Sequence, residues 1–207
     1  MKKFFLSLLL LAFIGFTGYA QDVPFIDVGL KAGANAANFT NLTDGVENDG
    51  LKLGFVGGAY ARFKIPIVGL FVQPEVQFSQ MGGNFTIPDG LGAGGRDEVE
   101  TRINNLDFNL LLGQRFGVGP LGIRVNVGPT YSRVLSADQT IDGGDEEDIQ
   151  DQLKENLWAL GLGAGLDISK LSIDLRYQLG LTRLAEDDEN DDTRNSAIQL
   201  TLGFKLF

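Results

Sequence analysis

Two groups of charged residues in this chain have the spacing to do chemistry. The first recurs at every second position of otherwise apolar runs: Lys31, Arg62, Glu75, Asp107, Arg115, Arg124, Asp174, Arg176 and Lys205. Residues two apart on a strand share a face, so Asp174 and Arg176 are neighbours on one surface. Converging carboxylates and guanidinium groups can line an ion-selective gate, or form a paired network that fills an interior. The second group is dense and acidic: Asp138, Asp142, Asp145, Glu146, Glu147, Asp148, Asp151 and Glu155, then Glu186, Asp187, Asp188, Glu189, Asp191 and Asp192. Carboxylates at this density suit Ca²⁺ or Mg²⁺. Neither run has the EF-hand spacing with its central glycine and closing glutamate, so solvated, self-repelling loops are expected and no metal is assigned.

The absent residues exclude more. The chain of 207 residues has no histidine and no cysteine, which removes the commonest general base, the usual zinc and haem ligands, and thiol chemistry. Gly161, Gly163 and Gly165 lie within a strand pattern with no helix following, so no phosphate-binding loop is read there. No cofactor is expected, and no strand pattern brings two carboxylates together near a rim. The expectation is a non-enzyme. A net charge of −10 makes nucleic acid an unfavourable partner.

The elements that carry the charges follow from hydropathy. Lys2 and Lys3 precede an apolar run from Phe4 to Phe16, and Gly18-Tyr19-Ala20 offers small residues to a signal peptidase. This run is shorter than the roughly 20 residues of a membrane-spanning helix. Residues 1–20 are therefore read as a cleaved signal peptide, and 21–207 as one domain. Beyond them the pattern has period two. In Leu171–Thr182, for example, Leu171, Ile173, Leu175, Tyr177, Leu179 and Leu181 alternate with Ser172, Asp174, Arg176, Gln178, Gly180 and Thr182. Similar runs are Ile26–Asn35, Leu51–Phe63, Leu70–Ser79, Leu106–Phe116, Leu121–Ser132, Leu157–Ile168 and Ala197–Phe207. These eight strands are longer than the usual five or six residues, and near the roughly 9–11 needed to cross a bilayer.

Connections alternate between long and short. The long ones fall near 36–50, 82–102, 134–156 and 185–195; the short ones are Lys64–Gly69, Gly117–Pro120 and Ser169–Lys170. The predicted fold is all-β: an eight-stranded, antiparallel, up-and-down transmembrane barrel with short periplasmic turns, long extracellular loops and both termini periplasmic. A secreted soluble lipocalin-like barrel, with the apolar face turned inward, is the alternative. A short helix over Asp145–Leu157 is also compatible with the pattern.

The sequence resembles the PorT-like outer-membrane β-barrel family of Gram-negative Bacteroidetes. The likeness rests on Asp27-Val28-Gly29-Leu30-Lys31-Ala32-Gly33, Phe71-Val72-Gln73-Pro74-Glu75-Val76, Asn105 to Leu112, Asn126-Val127-Gly128-Pro129, Leu171 to Thr182 and Gln199 to Lys205. Two departures stand out. Asn109 occupies a position often held by proline, and Phe207 lies one residue beyond the alternation that ends at Leu206. The resemblance implies an outer-membrane barrel, with fold better specified than role.

The functional expectation is a monomeric structural, interaction or secretion-accessory barrel acting through its outer loops. A narrow porin-family channel using the charged lumen is the alternative. Outer-membrane lipid is the expected partner. Arg102, Arg133 and Arg183, read as outward-facing at the outer rim, are placed either to meet lipopolysaccharide phosphates or to snorkel. Any protein partner is left unidentified. Trp158 and Tyr131 fall where an aromatic girdle belongs.

Overall fold

The computed structural model describes residues 25–40, 47–48, 52–65, 69–88, 96–117, 120–141, 146–148, 154–182 and 194–207. The signal-peptide reading of residues 1–20, together with Arg183 and the acidic run from Glu186 to Asp192, lies outside them. Eight long strands make up the fold: β1 (Ile26–Thr40), β2 (Lys52–Ile65), β3 (Leu70–Pro88), β4 (Arg96–Phe116), β5 (Leu121–Ile141), β6 (Asn156–Ile168), β7 (Leu171–Gly180) and β8 (Arg194–Lys205). Each pairs antiparallel with the next, and β1 closes on β8 through a register running from Gly29↔Lys205 to Thr40↔Arg194. This is a closed up-and-down barrel.

Alternation decides which face is inside. On β7, Leu171, Ile173, Leu175, Tyr177 and Leu179 are exposed, while Ser172, Arg176 and Gln178 are buried. The same outward apolar face continues through Leu160, Leu162 and Leu166 on β6 and Leu200, Leu202 and Phe204 on β8. Soluble monomers rarely expose a contiguous apolar patch beyond a few hundred Å². A belt around the whole barrel belongs in lipid, so the soluble lipocalin-like alternative is overturned. No helix of the described residues is long and apolar enough to span a membrane, so the crossing is made by strands.

The short turns lie at one end. Ser169 and Lys170 alone link β6 to β7, with Ser169 at φ 60°. Gly69 opens β3 at φ 69°, and a Cβ there would meet the Arg115 carbonyl oxygen at 2.7 Å, so glycine suits both the dihedral and the close approach. The terminus repairs its own register. Leu206 and Phe207 both donate backbone N–H groups to the Val28 carbonyl, at 2.8 and 3.5 Å, and Val28 donates to the Phe207 oxygen at 2.9 Å. Two residues opposite one is a β-bulge, which accounts for the aromatic standing one position beyond the alternation.

Three strands run farther than the sequence pattern predicts. β3, β4 and β5 contain 19, 21 and 21 residues, roughly twice a bilayer crossing. They extend through most of the segment read as a loop near 82–102 and into the first part of that near 134–156. Two short pieces pair along this extension, Glu47–Asn48 on β3 and Glu146–Asp148 on β5. The latter is extended backbone, and β6 begins at Asn156, so the described residues of Asp145–Leu157 show strand rather than the helix expected. A bulge sets the facing of the extension. Asn104 lies opposite Ser136 and Asn105 opposite Val134, leaving Leu135 as the extra residue. Inward positions on β5 therefore change from even numbers, ending at Val134, to odd ones, resuming at Ala137.

Leu162→Arg tests the outward assignment. Near the middle of the lipid belt it should destabilise the barrel by about 2–4 kcal/mol in bilayer unfolding titrations. Near-neutral behaviour would mean that the residue faces water.

Candidate functional site

The interior is built around one carboxylate. Glu75 on β3 is 3% exposed and meets Arg176 of β7 as a fork, with Nη1–Oε2 at 2.8 Å and Nη2–Oε1 at 3.0 Å. Lys31 Nζ on β1 reaches Oε2 at 2.6 Å. The amide nitrogens of Gln73 and Asn109 donate to the same carboxylate at 2.6 and 3.2 Å. Five donor contacts occupy about all the lone-pair sites a carboxylate offers. Paired guanidinium–carboxylate geometry is among the stronger charge-assisted contacts.

A second layer lies toward the short turns. Arg124, with no exposed surface, donates Nε to Asp167 at 2.8 Å and Nη2 to Asp174 at 3.1 Å. Arg115 reaches Asp167 at 3.3 Å, and Arg62 lies 3.5 Å from it. Asp27 collects Lys64 at 2.8 Å, Lys205 at 3.5 Å and Arg62 at 3.8 Å. Arg62 joins the layers by donating Nε to Gln73 Oε1 at 2.6 Å, and its guanidinium stands 5.2 Å from the Phe71 ring centroid. Thr130 extends the network through Asn109 at 2.6 Å. Every one of the eight strands contributes at least one side chain.

All nine charges expected on the lumen face are found there, and eight share this network. Asp107 differs: it has no exposed surface and accepts from the Gln77 amide at 3.2 Å rather than from a cation. Asp27, Lys64 and Asp167 also belong to the network, beyond the nine charges the sequence pattern places there. All three share the alternation of members already recognised, Asp27 with Lys31, Lys64 with Arg62, and Asp167 with the small inward glycines of β6. They sit at the turn end of their strands, where a charge reads equally well as part of a turn.

Toward the outer end the lumen becomes mixed, with apolar side chains beside the buried Asn35, Ser79, Thr101, Asn105 and Ser196. Val56, Ile103, Val134, Ala37, Ala137 and Ala197 are all essentially buried. The bulge conceals this feature in the sequence, because it moves Ala137 onto the inner face. Outside, Phe108, Tyr131 and Trp158 form a row across β4, β5 and β6, with ring centroids 6.2 and 5.2 Å apart. Tyr131 donates its hydroxyl to Asn156 at 2.6 Å. An amphipathic aromatic row at this level matches a membrane-interface girdle. Arg133 is exposed and pairs with Glu155 at 3.3 Å. Arg102 lies between the buried Thr101 and Ile103 and so stands on the outward face as expected, half-buried and opposite Asp138 in the β4–β5 register. Among the described residues no cluster of acids could hold a metal ion.

A closed barrel with a lipid-facing belt and a charge-filled lumen defines an integral outer-membrane β-barrel. The chain belongs to the outer membrane protein beta-barrel domain family, whose model matches residues 19–186. Membership places it in the cell outer membrane. Among solved structures it is similar to Neisserial surface protein A, at 12% identity and TM-score 0.45 over 86% of this chain and 97% of that one. It is also similar to the attachment invasion locus protein of Yersinia pestis, at 16% identity and TM-score 0.40 over 87% and 98%. A third is the outer membrane enzyme PagL, at 11% identity and TM-score 0.45 over 86% and 98%. No curated protein matches the chain.

Glu75→Ala should destabilise the barrel by about 3–5 kcal/mol, because Lys31 and Arg176 are left buried without their counter-charge. Urea titration followed by the heat-dependent gel shift of folded barrels measures this. Loss of less than about 1 kcal/mol would show that the fork carries little.

Proposed function

We propose that the protein is a non-enzymatic, non-conducting outer-membrane barrel that works as a structural or interaction protein through its extracellular side. The observation that carries this reading is the filled cross-section at Glu75, Lys31 and Arg176, backed by the fully buried Arg124. An eight-stranded barrel has an interior about wide enough for its side chains. A solute would have to separate paired buried charges to pass. Catalysis is disfavoured on the same grounds, since the Glu75 carboxylate is saturated by donors and histidine is absent.

The outer side suits recognition. Of the 27 acidic residues, 21 fall in the four segments that read as long loops, and the strands β3, β4 and β5 continue beyond the lipid belt toward them. A membership closer to the PorT-like barrels, with a secretion-accessory role, fits this arrangement. So do export by a cleaved signal peptide, a monomeric state, and contact of Arg133 with lipopolysaccharide phosphate. Identical yields of folded barrel with and without residues 1–20 in the export system would contradict the signal peptide.

Planar-bilayer recording tests the central reading. The intact barrel should show no unitary conductance steps. Reproducible steps whose size changes with Arg124→Ala or Arg176→Ala would establish the charged lumen as a channel instead.

A further inference from the structure

The turn-side mouth of the lumen holds a cavity of about 360 Å³. That is large enough for a small ligand and too small for a folded segment of another protein. Its wall carries Arg62, Lys64, Arg115, Lys170 and Lys205 against the carboxylates of Asp27 and Asp167. Five cations against two carboxylates leave the described lining positive. This cationic mouth contrasts with a chain whose net charge is −10, so the excess is local.

Two further details point to a ligand. Ser172 lines the cavity, is 5% exposed, and its hydroxyl has no hydrogen-bond partner. Lys170 stands exposed on the two-residue turn at the rim, and it forms no ion pair among the described residues. Arginine forks and lysine ammonium groups around a small polar hollow are the chemistry that binds phosphate.

We propose that this cavity is a binding site for a phosphate-bearing anion, presented from the periplasmic side either free in solution or on a lipid headgroup. The anion sits between Lys170, Lys64 and Arg115 and accepts a hydrogen bond from Ser172. The site builds on the sealed-lumen reading: conductance tests the seal and anion binding tests the cavity, so either can fail alone.

The test uses the full chain folded in phosphatidylcholine nanodiscs, titrated with pyrophosphate by calorimetry at fixed ionic strength. Saturable binding of one anion per barrel is expected. Lys170→Gln and Lys64→Gln should each weaken it by about tenfold, with the heat-dependent gel shift reporting that each variant is folded. Adding phosphatidylglycerol to the disc distinguishes the two sources. A lipid headgroup at the site would compete with pyrophosphate in the parent and much less in Lys170→Gln, whereas a free anion would bind equally in both discs. Absence of saturable binding together with no phosphatidylglycerol effect would overturn the proposal. So would binding that both lysine substitutions leave unchanged.

Discussion

The Glu75 carboxylate is the contact on which the rest of the interior depends. It sits on β3, yet its partners come from β1, β4 and β7 as well as its own strand. Charges taken from water into a narrow interior need good geometry to offset their desolvation. Here the offset comes from a bidentate fork, an ammonium and two amides converging on two oxygens. Through Gln73 and Arg62 the same contact reaches Asp27 and Asp167, and so ties the middle of the lumen to its turn-side mouth. Cutting this point leaves like charges facing one another across the barrel.

The outer surface obeys the opposite constraint. Lipid offers no hydrogen bonds, so every backbone group in the belt must be satisfied by a neighbouring strand, and only a closed barrel does this. Closure of β1 on β8 leaves no edge within the membrane. Above the belt that demand ends, and strands need no longer match in length. There β3, β4 and β5 continue as a three-stranded extension, with short pieces along its sides. The barrel thus has a lipid-facing belt, a charge-filled core and a cationic mouth.

Much of this was legible in the sequence because strand periodicity and lumen chemistry coincide. Leu171 to Gly180 reads correctly residue by residue, since each outward leucine or isoleucine alternates with an inward polar or small residue. Three features were hidden for physical reasons. The extension reads as loop because Asp97, Glu98 and Glu100 resemble solvent-exposed connections; strands beyond the bilayer need not alternate apolar with polar. The bulge at Leu135 cannot be seen from alternation, because a one-residue insertion imitates the end of a strand. Asp27, Lys64 and Asp167 sit where strand and turn meet, and only the closed barrel reveals that they face one another across its mouth. Pairing partners were equally out of reach: the sequence places Glu75 and Arg176 on inner faces, whereas their meeting depends on the curvature that closes the sheet.

A double-mutant cycle between Glu75 and Arg176, with Glu75→Gln, Arg176→Gln and the combined variant unfolded in bilayers, tests the ionic centre most directly. Residues in one buried network are coupled by roughly 0.5–3 kcal/mol. A bidentate fork at 2.8 and 3.0 Å should lie in the upper part of that range, with the double variant far less damaged than the two single losses added together. Strictly additive losses would contradict a barrel held together through Glu75.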